Sequence, residues 1–106
     1  MYGNPQGRLN NEVQDLRRLG GRWLKEQREH AGLSQRELAE KVGAEYYTFI
    51  SQLETGRGRI PPDRYYVWAK ALSMDTREFV RDLMRFYDPV TYGILFSTDG
   101  ETRDLV

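Results

Sequence analysis

The side chains best equipped for recognition chemistry lie between Ser34 and Arg64. Thr48, Ser51 and Gln52 carry hydroxyl and amide groups that both donate and accept hydrogen bonds, and on a helix they fall opposite the apolar Ile50 and Leu53. Gln35 and Arg36 open the apolar-periodic segment before them, and Tyr46 and Tyr47 add two phenol hydroxyls. Arg57, Gly58 and Arg59, followed by Arg64, make a basic loop with a permissive backbone. Bond-making chemistry has no comparable set. The chain has no Cys, His30 is its one histidine, and no paired acid and base share an evident pocket-forming context, so an enzyme is the least expected class. The same composition removes disulfides, Cys-based zinc or redox sites and a His-containing metal cluster, and no cofactor is expected.

At 106 residues, with 39% apolar and 30% charged side chains, the chain is sized for one domain with an ordinary core. No apolar run is long enough to span a bilayer, and MYGNPQGRLNNE lacks the apolar segment of a signal peptide. The expectation is a soluble cytoplasmic protein with no membrane partner. Sixteen Lys and Arg balance sixteen Asp and Glu, which taken alone argues against a polyanionic partner. The balance is a sum of unlike segments, however. Arg57–Lys70 carries Arg57, Arg59, Arg64 and Lys70 against Asp63, while Ala71–Val106 has an acidic excess. A local positive edge is compatible with a neutral total.

Several helices are needed to position these groups. Met1–Gly7, with Gly3, Pro5 and Gly7, reads as a frayed terminus. Leu9, Val13, Leu16 and Leu19 recur on one helical face, and the pattern resumes after Gly20-Gly21 with Trp23, Leu24, Gln27 and Ala31, ending at Gly32. Exposed faces are expected for Arg17, Arg18, Arg22 and His30. Ser34 with Glu37 forms a capping box before Leu38, Ala39 and Val42, and Gly43 ends that helix. A second short helix runs through Tyr46, Tyr47, Ile50 and Leu53 to Glu54, and at least one of Tyr46, Tyr47 and Phe49 is expected in the core. Pro62 suits the first turn of a helix with inner face Tyr65, Trp68, Ala69 and Leu72. Asp75 or Thr76 caps another, with Phe79, Val80, Leu83, Met84 and Tyr87 inward, stopped by Asp88-Pro89. Tyr92–Phe96 is apolar but too short to classify by period, and Ser97–Gly100 reads as a polar turn. The fold class is all-α with five or six helices.

Two short helices joined by a Gly-containing turn form a helix-turn-helix, a spacing that is weak evidence alone. The run LSQRELAEKVG followed by FISQLETGRGRIPPDRYYVWAKALSM is more specific. It resembles the Cro/repressor-like, xenobiotic-response-element (XRE) type of DNA-binding domain through Leu33, Ser34, Gln35, Glu37, Leu38, Ala39, Gly43, Ile50, Ser51, Glu54, Gly56, Pro61, Ala69 and Leu72. One departure stands out: six residues, Ala44–Phe49, separate the turn Gly from Ile50 where family members usually have five. An extra residue in the turn re-aims the second helix, whereas one inside the helix rotates its first turn by about 100°.

The resemblance implies a lambda-repressor-like domain over 21–85, between an N-terminal extension, 1–20, and a C-terminal extension, 86–106. It implies a regulator of bacterial or phage type that reads double-stranded DNA with helix 45–54 in the major groove. Base contacts then fall to Tyr47, Thr48, Ser51 and Gln52, the last suited to bidentate contact with adenine. Phosphate contacts fall to Gln35, Arg36, Tyr46, Arg57, Arg59 and Arg64. Glu54 is expected to anchor the turn that follows it, through an Arg, rather than read DNA. Such domains commonly bind a pseudo-palindromic operator as homodimers, for which Leu9–Leu19 and Phe86–Phe96 are the candidate surfaces. The alternative is an antitoxin or anti-activator whose main role is to bind a protein partner, since the same architecture serves both.

Overall fold

Local capping fixes where three of the helices begin. In the computed structural model, which describes residues 5–96 and the side chains of residues 11–96, the Ser34 hydroxyl accepts from the Glu37 amide at 3.0 Å and the Ser34 amide donates to the Glu37 carboxylate at 2.8 Å. These hydrogen bonds hold the Glu37 carboxyl below its ordinary range, the Ser34 amide contributing most. Asp75 caps a later helix by accepting from the Glu78 amide at 3.1 Å. Asp88 opens the next by accepting from the Thr91 amide and hydroxyl at 3.1 and 2.7 Å, which lowers its pKa. Six α-helices result among the described residues: α1 Pro5–His30, α2 Gln35–Val42, α3 Thr48–Glu54, α4 Tyr65–Ala71, α5 Thr76–Tyr87 and α6 Pro89–Phe96, with a 3-10 turn, Pro62–Arg64, leading into α4. No described helix is long and apolar enough to cross a membrane.

The core gathers Leu24 from α1, Leu38, Ala39 and Val42 from α2, Ile50 and Leu53 from α3, Ile60 from the following loop, Trp68, Ala69 and Leu72 from α4 and its end, and Phe79 and Leu83 from α5. Apart from Ile60 in the loop, these are inward positions that the periodicity marks, with Tyr65, Val80, Met84 and Tyr87 partly buried beside them. Trp23 adds ring contacts to Phe79 and Phe86, at centroid distances of 5.7 and 6.1 Å.

Four local expectations change. Pro5–Gly7 begins α1 instead of fraying, while 1–4 and the Ser97–Gly100 turn lie outside the described residues, as does the Leu9 side chain. The second helix of the pair starts at Thr48, not near Glu45, because Gly43 (φ 72°) closes α2 and the first hydrogen bonds of α3 run from Phe49 to Tyr46 and from Ile50 to Tyr47. The extra residue therefore lies in the turn. None of Tyr46, Tyr47 and Phe49 is buried (65, 44 and 37% exposed), since a helix that starts late and is pinned by Ile50 and Leu53 turns all three off its inner face. Finally, Tyr92–Phe96 belongs to a helix, α6, nucleated by the Asp88 cap.

Gly20-Gly21 does not interrupt α1, and its reason is packing. A Cβ at Gly21 would lie 2.4 Å from the Glu54 carbonyl oxygen and 2.6 Å from that of Leu53, and one at Gly20 would lie 2.8 Å from Phe86 Cβ. Bare backbone at this point lets α1 meet the end of α3 on one side and α5 on the other. Gly21→Ala is expected to lower stability by about 1–3 kcal/mol, overpacking outweighing a helix-propensity gain of roughly 1 kcal/mol. Gly58→Ala, whose Cβ would sit at an ordinary 3.5 Å from Leu53, should stay within about 0.5 kcal/mol. Urea midpoints compare the two; equal shifts would remove the close-approach explanation.

Candidate nucleic-acid interface

The α3 helix is fixed from behind by two apolar residues and one carboxylate. Ile50 and Leu53 enter the core, and Glu54, 9% exposed, turns toward α1. There Arg28, 8% exposed, grips it with both arms of its guanidinium: Nε donates to Oε2 at 2.7 Å and Nη2 to Oε1 at 3.1 Å. The remaining Nη1 donates to the Leu33 carbonyl at 2.8 Å, and Gln35 Nε2 donates to Glu54 Oε1 at 3.0 Å. One buried pair thus joins α1, the connection before α2, the first residue of α2 and the end of α3. The hydrogen bonds to Glu54 raise the Arg28 pKa against the opposing effect of desolvation. Glu54 anchors through an Arg, but to α1 and α2 instead of the turn that follows it, because its partner is Arg28, 26 residues away, which carries no local signal.

With that side occupied, α3 offers solvent its other face. Thr48 and Gln52 are exposed and Ser51 is half-buried. Thr55, just past the helix, turns its hydroxyl back to the Ser51 and Gln52 carbonyls at 2.9 and 3.2 Å. Arg36 of α2 lies over the Tyr47 ring, 4.8 Å from its centroid, so two residues from different parts of the motif form one exposed unit. Tyr46 projects beside them, the most exposed of the three turn aromatics. Phe49, on the flank of α3, lines with Trp68, Pro61 and Arg64 a hollow of about 650 Å³ that the widened turn leaves open.

The other basic residues named from the sequence divide into two groups. Arg57 is exposed, and its side chain has no hydrogen-bond or ion-pair partner among the described residues. Arg59 is stacked on Tyr87, 4.8 Å from the ring centroid, and lies against the Tyr65 phenol, so it fastens the loop to α4 and α5. The Ile60 amide donates to the Tyr87 hydroxyl at 3.1 Å in the same cluster, and burial pushes the Tyr87 pKa up. Arg64 donates to the Val42 carbonyl, closing the C-terminus of α2. Gln35 likewise has its amide nitrogen engaged by Glu54. Arg36, Tyr46, Tyr47, Thr48, Ser51 and Gln52 are brought together along α3; Arg59 and Arg64 are held in intramolecular contacts.

The hollow on the opposite flank of α3 was missed. Arg18, Arg22 and Lys25 of α1 line it together with Gln35, Ser51 and Thr55. The signal in the sequence is an i, i+4, i+7 spacing of cations, Arg18, Arg22 and Lys25, which stacks them on one side of the helix.

This arrangement can offer hydrogen-bonding groups and cations to a grooved polyanion. A family model described as helix-turn-helix matches residues 24–79, from the buried end of α1 through Phe79 of α5. No curated protein matches the chain.

Because Arg28 and Glu54 are both buried, loss of either partner strands a charge. Glu54→Ala and Arg28→Ala are each expected to cost about 3–5 kcal/mol. In a double-mutant cycle by chemical denaturation, the double variant should be markedly less destabilised than the sum of the singles. Strict additivity would mean that the pair contributes no coupling.

Proposed function

The chain belongs to the XRE-type helix-turn-helix family of DNA-binding regulators, and on that premise we propose that it is a repressor or operon autoregulator that binds a pseudo-palindromic operator as a homodimer. The observation that carries this reading is the outer face of α3, where Thr48, Ser51 and Gln52 are held outward by Ile50, Leu53 and the Arg28–Glu54 pair behind them. A helix presented in this way enters the major groove, and its early residues meet base edges. Tyr47, backed by Arg36, supplies a further edge for base or phosphate contact, and Arg57 supplies charge in the loop beyond. In this reading residues 21–85 are the DNA-binding domain, 1–20 are an N-terminal extension and 86–106 a C-terminal extension that carries the dimer contact.

Dimerisation is supported by the apolar character of α6. Val90, Ile94, Leu95 and Phe96 are 64, 54, 64 and 43% exposed, after a core that is already complete without them. A helix apolar on all sides is stable in water when something covers it. Val13 and Leu19, each 47% exposed, add apolar surface on the N-terminal half of α1. A second copy fits the function, since two-fold related α3 helices match a two-fold site one DNA turn long.

Two experiments test this reading. Selection from a random duplex pool should yield a two-fold consensus; against it, Gln52→Ala should lose about 1–3 kcal/mol and relax preference at one base position, while Arg57→Ala weakens all duplexes alike and lowers the salt slope by about one. Retention of wild-type preference by Gln52→Ala would remove α3 as the reading element. In sedimentation, Ile94→Asp with Leu95→Asp should convert a dimer to a monomer of unchanged helicity and weaken operator binding. A protein partner in place of a second copy is the outcome if the wild-type chain sediments as a monomer at all concentrations.

A further inference from the structure

The stripe on α1 is the strongest charged feature that the reading above does not use. Arg18, Arg22 and Lys25 follow one another at intervals of four and three, which stacks three cations along one side of the helix. They line a hollow of about 400 Å³ whose opposite wall is Ser51 and Thr55, on the flank of α3, and whose end is Gln35 at the start of α2. The carboxylate at its base, Glu54, is already neutralised by Arg28. Asp15 pairs with Arg18 at 2.9 Å, both side chains being largely exposed, an interaction that solvent weakens and a stronger anion displaces. Arg22 and Lys25 make no ion pair among the described residues, although Glu26 and Glu29 lie one turn further along α1.

We infer that Arg18, Arg22 and Lys25 of α1 form a phosphate-binding rail for one strand of duplex DNA, beside the groove that α3 enters. The inference rests on α3 being the groove-entering helix. A major groove is about 12 Å wide, so the strands bounding it run along both flanks of a helix that fills it. On one flank lie Phe49 and Arg64, the latter held by the Val42 carbonyl. On the other lie the three α1 cations, next to Ser51, whose hydroxyl suits a phosphate oxygen or sugar, and Thr55, whose own hydroxyl proton is given to the Ser51 and Gln52 carbonyls. These residues add to the positive charge that Arg57 places in the loop beyond α3. A rail on a helix interior also sets register: its cations are spaced by the α1 backbone, and Gly21 locks that backbone against α3.

The test is the salt dependence of duplex binding by the full chain, read by fluorescence anisotropy on a mixed-sequence duplex and on one selected by the wild type. Arg22→Gln with Lys25→Gln is compared with Arg77→Gln and Arg81→Gln, the same charge change on α5. All four residues are exposed, and thermal melts confirm that both variants stay folded. The α1 variant should lower the slope of log K against log salt by about two units and reduce affinity about 30-fold at 0.15 M salt, equally for both duplexes. The α5 variant should stay within about threefold of wild type. An unchanged slope in the α1 variant, or equal losses in both variants, overturns the rail while leaving α3 as the reading helix. If the wild type binds neither duplex, the reading of α3 fails and the rail with it.

Discussion

The placement of α3 depends on the buried Arg28–Glu54 pair more than on any apolar contact. Ile50 and Leu53 tell the helix which face is inward, but side-chain burial tolerates sliding and tilting. A bidentate guanidinium–carboxylate pair does not, because its planar geometry is satisfied at one relative position of α1 and α3. Gln35 and the Leu33 carbonyl complete the hydrogen bonding, so the start of α2 is fixed by the same group. Desolvating two charges is costly, and good geometry offsets that cost without making the pair a large net source of stability. Its contribution is to orientation: three backbone segments meet at one carboxylate.

Much of the scaffold was legible because its signals are local. The Ser34–Glu37 box, the Gly43 stop, Pro62 and the Asp75 cap each act within four residues, and 3.6-residue periodicity marks the residues that fill the core. What escaped is non-local or unfavourable to periodicity. Arg28 looks like any exposed helix cation until its partner is known. Gly21 looks like a helix breaker until the Leu53 and Glu54 carbonyls are placed against it. The start of α3 could not be read because Tyr46, Tyr47 and Phe49 are large and apolar enough to imitate an inner face, yet all remain exposed. For α6 the apolar run was clear, but a helix with no polar side has no period to detect.

The electrostatic layout also differs from the segment count. The excess in Arg57–Lys70 is real in sequence, but Arg59 and Arg64 are engaged by Tyr87 and by the Val42 carbonyl, and Lys70 lies over Tyr66. The nearly balanced N-terminal half instead sorts its charges by helix face and collects Arg18, Arg22 and Lys25 in space. Net charge by segment is blind to a stripe, since residues four apart are neighbours while adjacent ones point away from each other. A chain with no overall charge can in this way present a strongly oriented field.

If α3 reads the major groove as proposed, its brevity has a consequence for information. Seven residues rise about 10 Å, which is roughly three base-pair steps of 3.4 Å. Three fully specified pairs carry about six bits, and doubling them by symmetry gives about twelve, one chance match in roughly 4,000 sequences. Genomes present about a million or more competing positions. On the proposed reading, so short a helix would not single out an address by lexical content alone; the spacing between half-sites, the stiffness of the DNA between them, or several sites placed side by side would have to add to it.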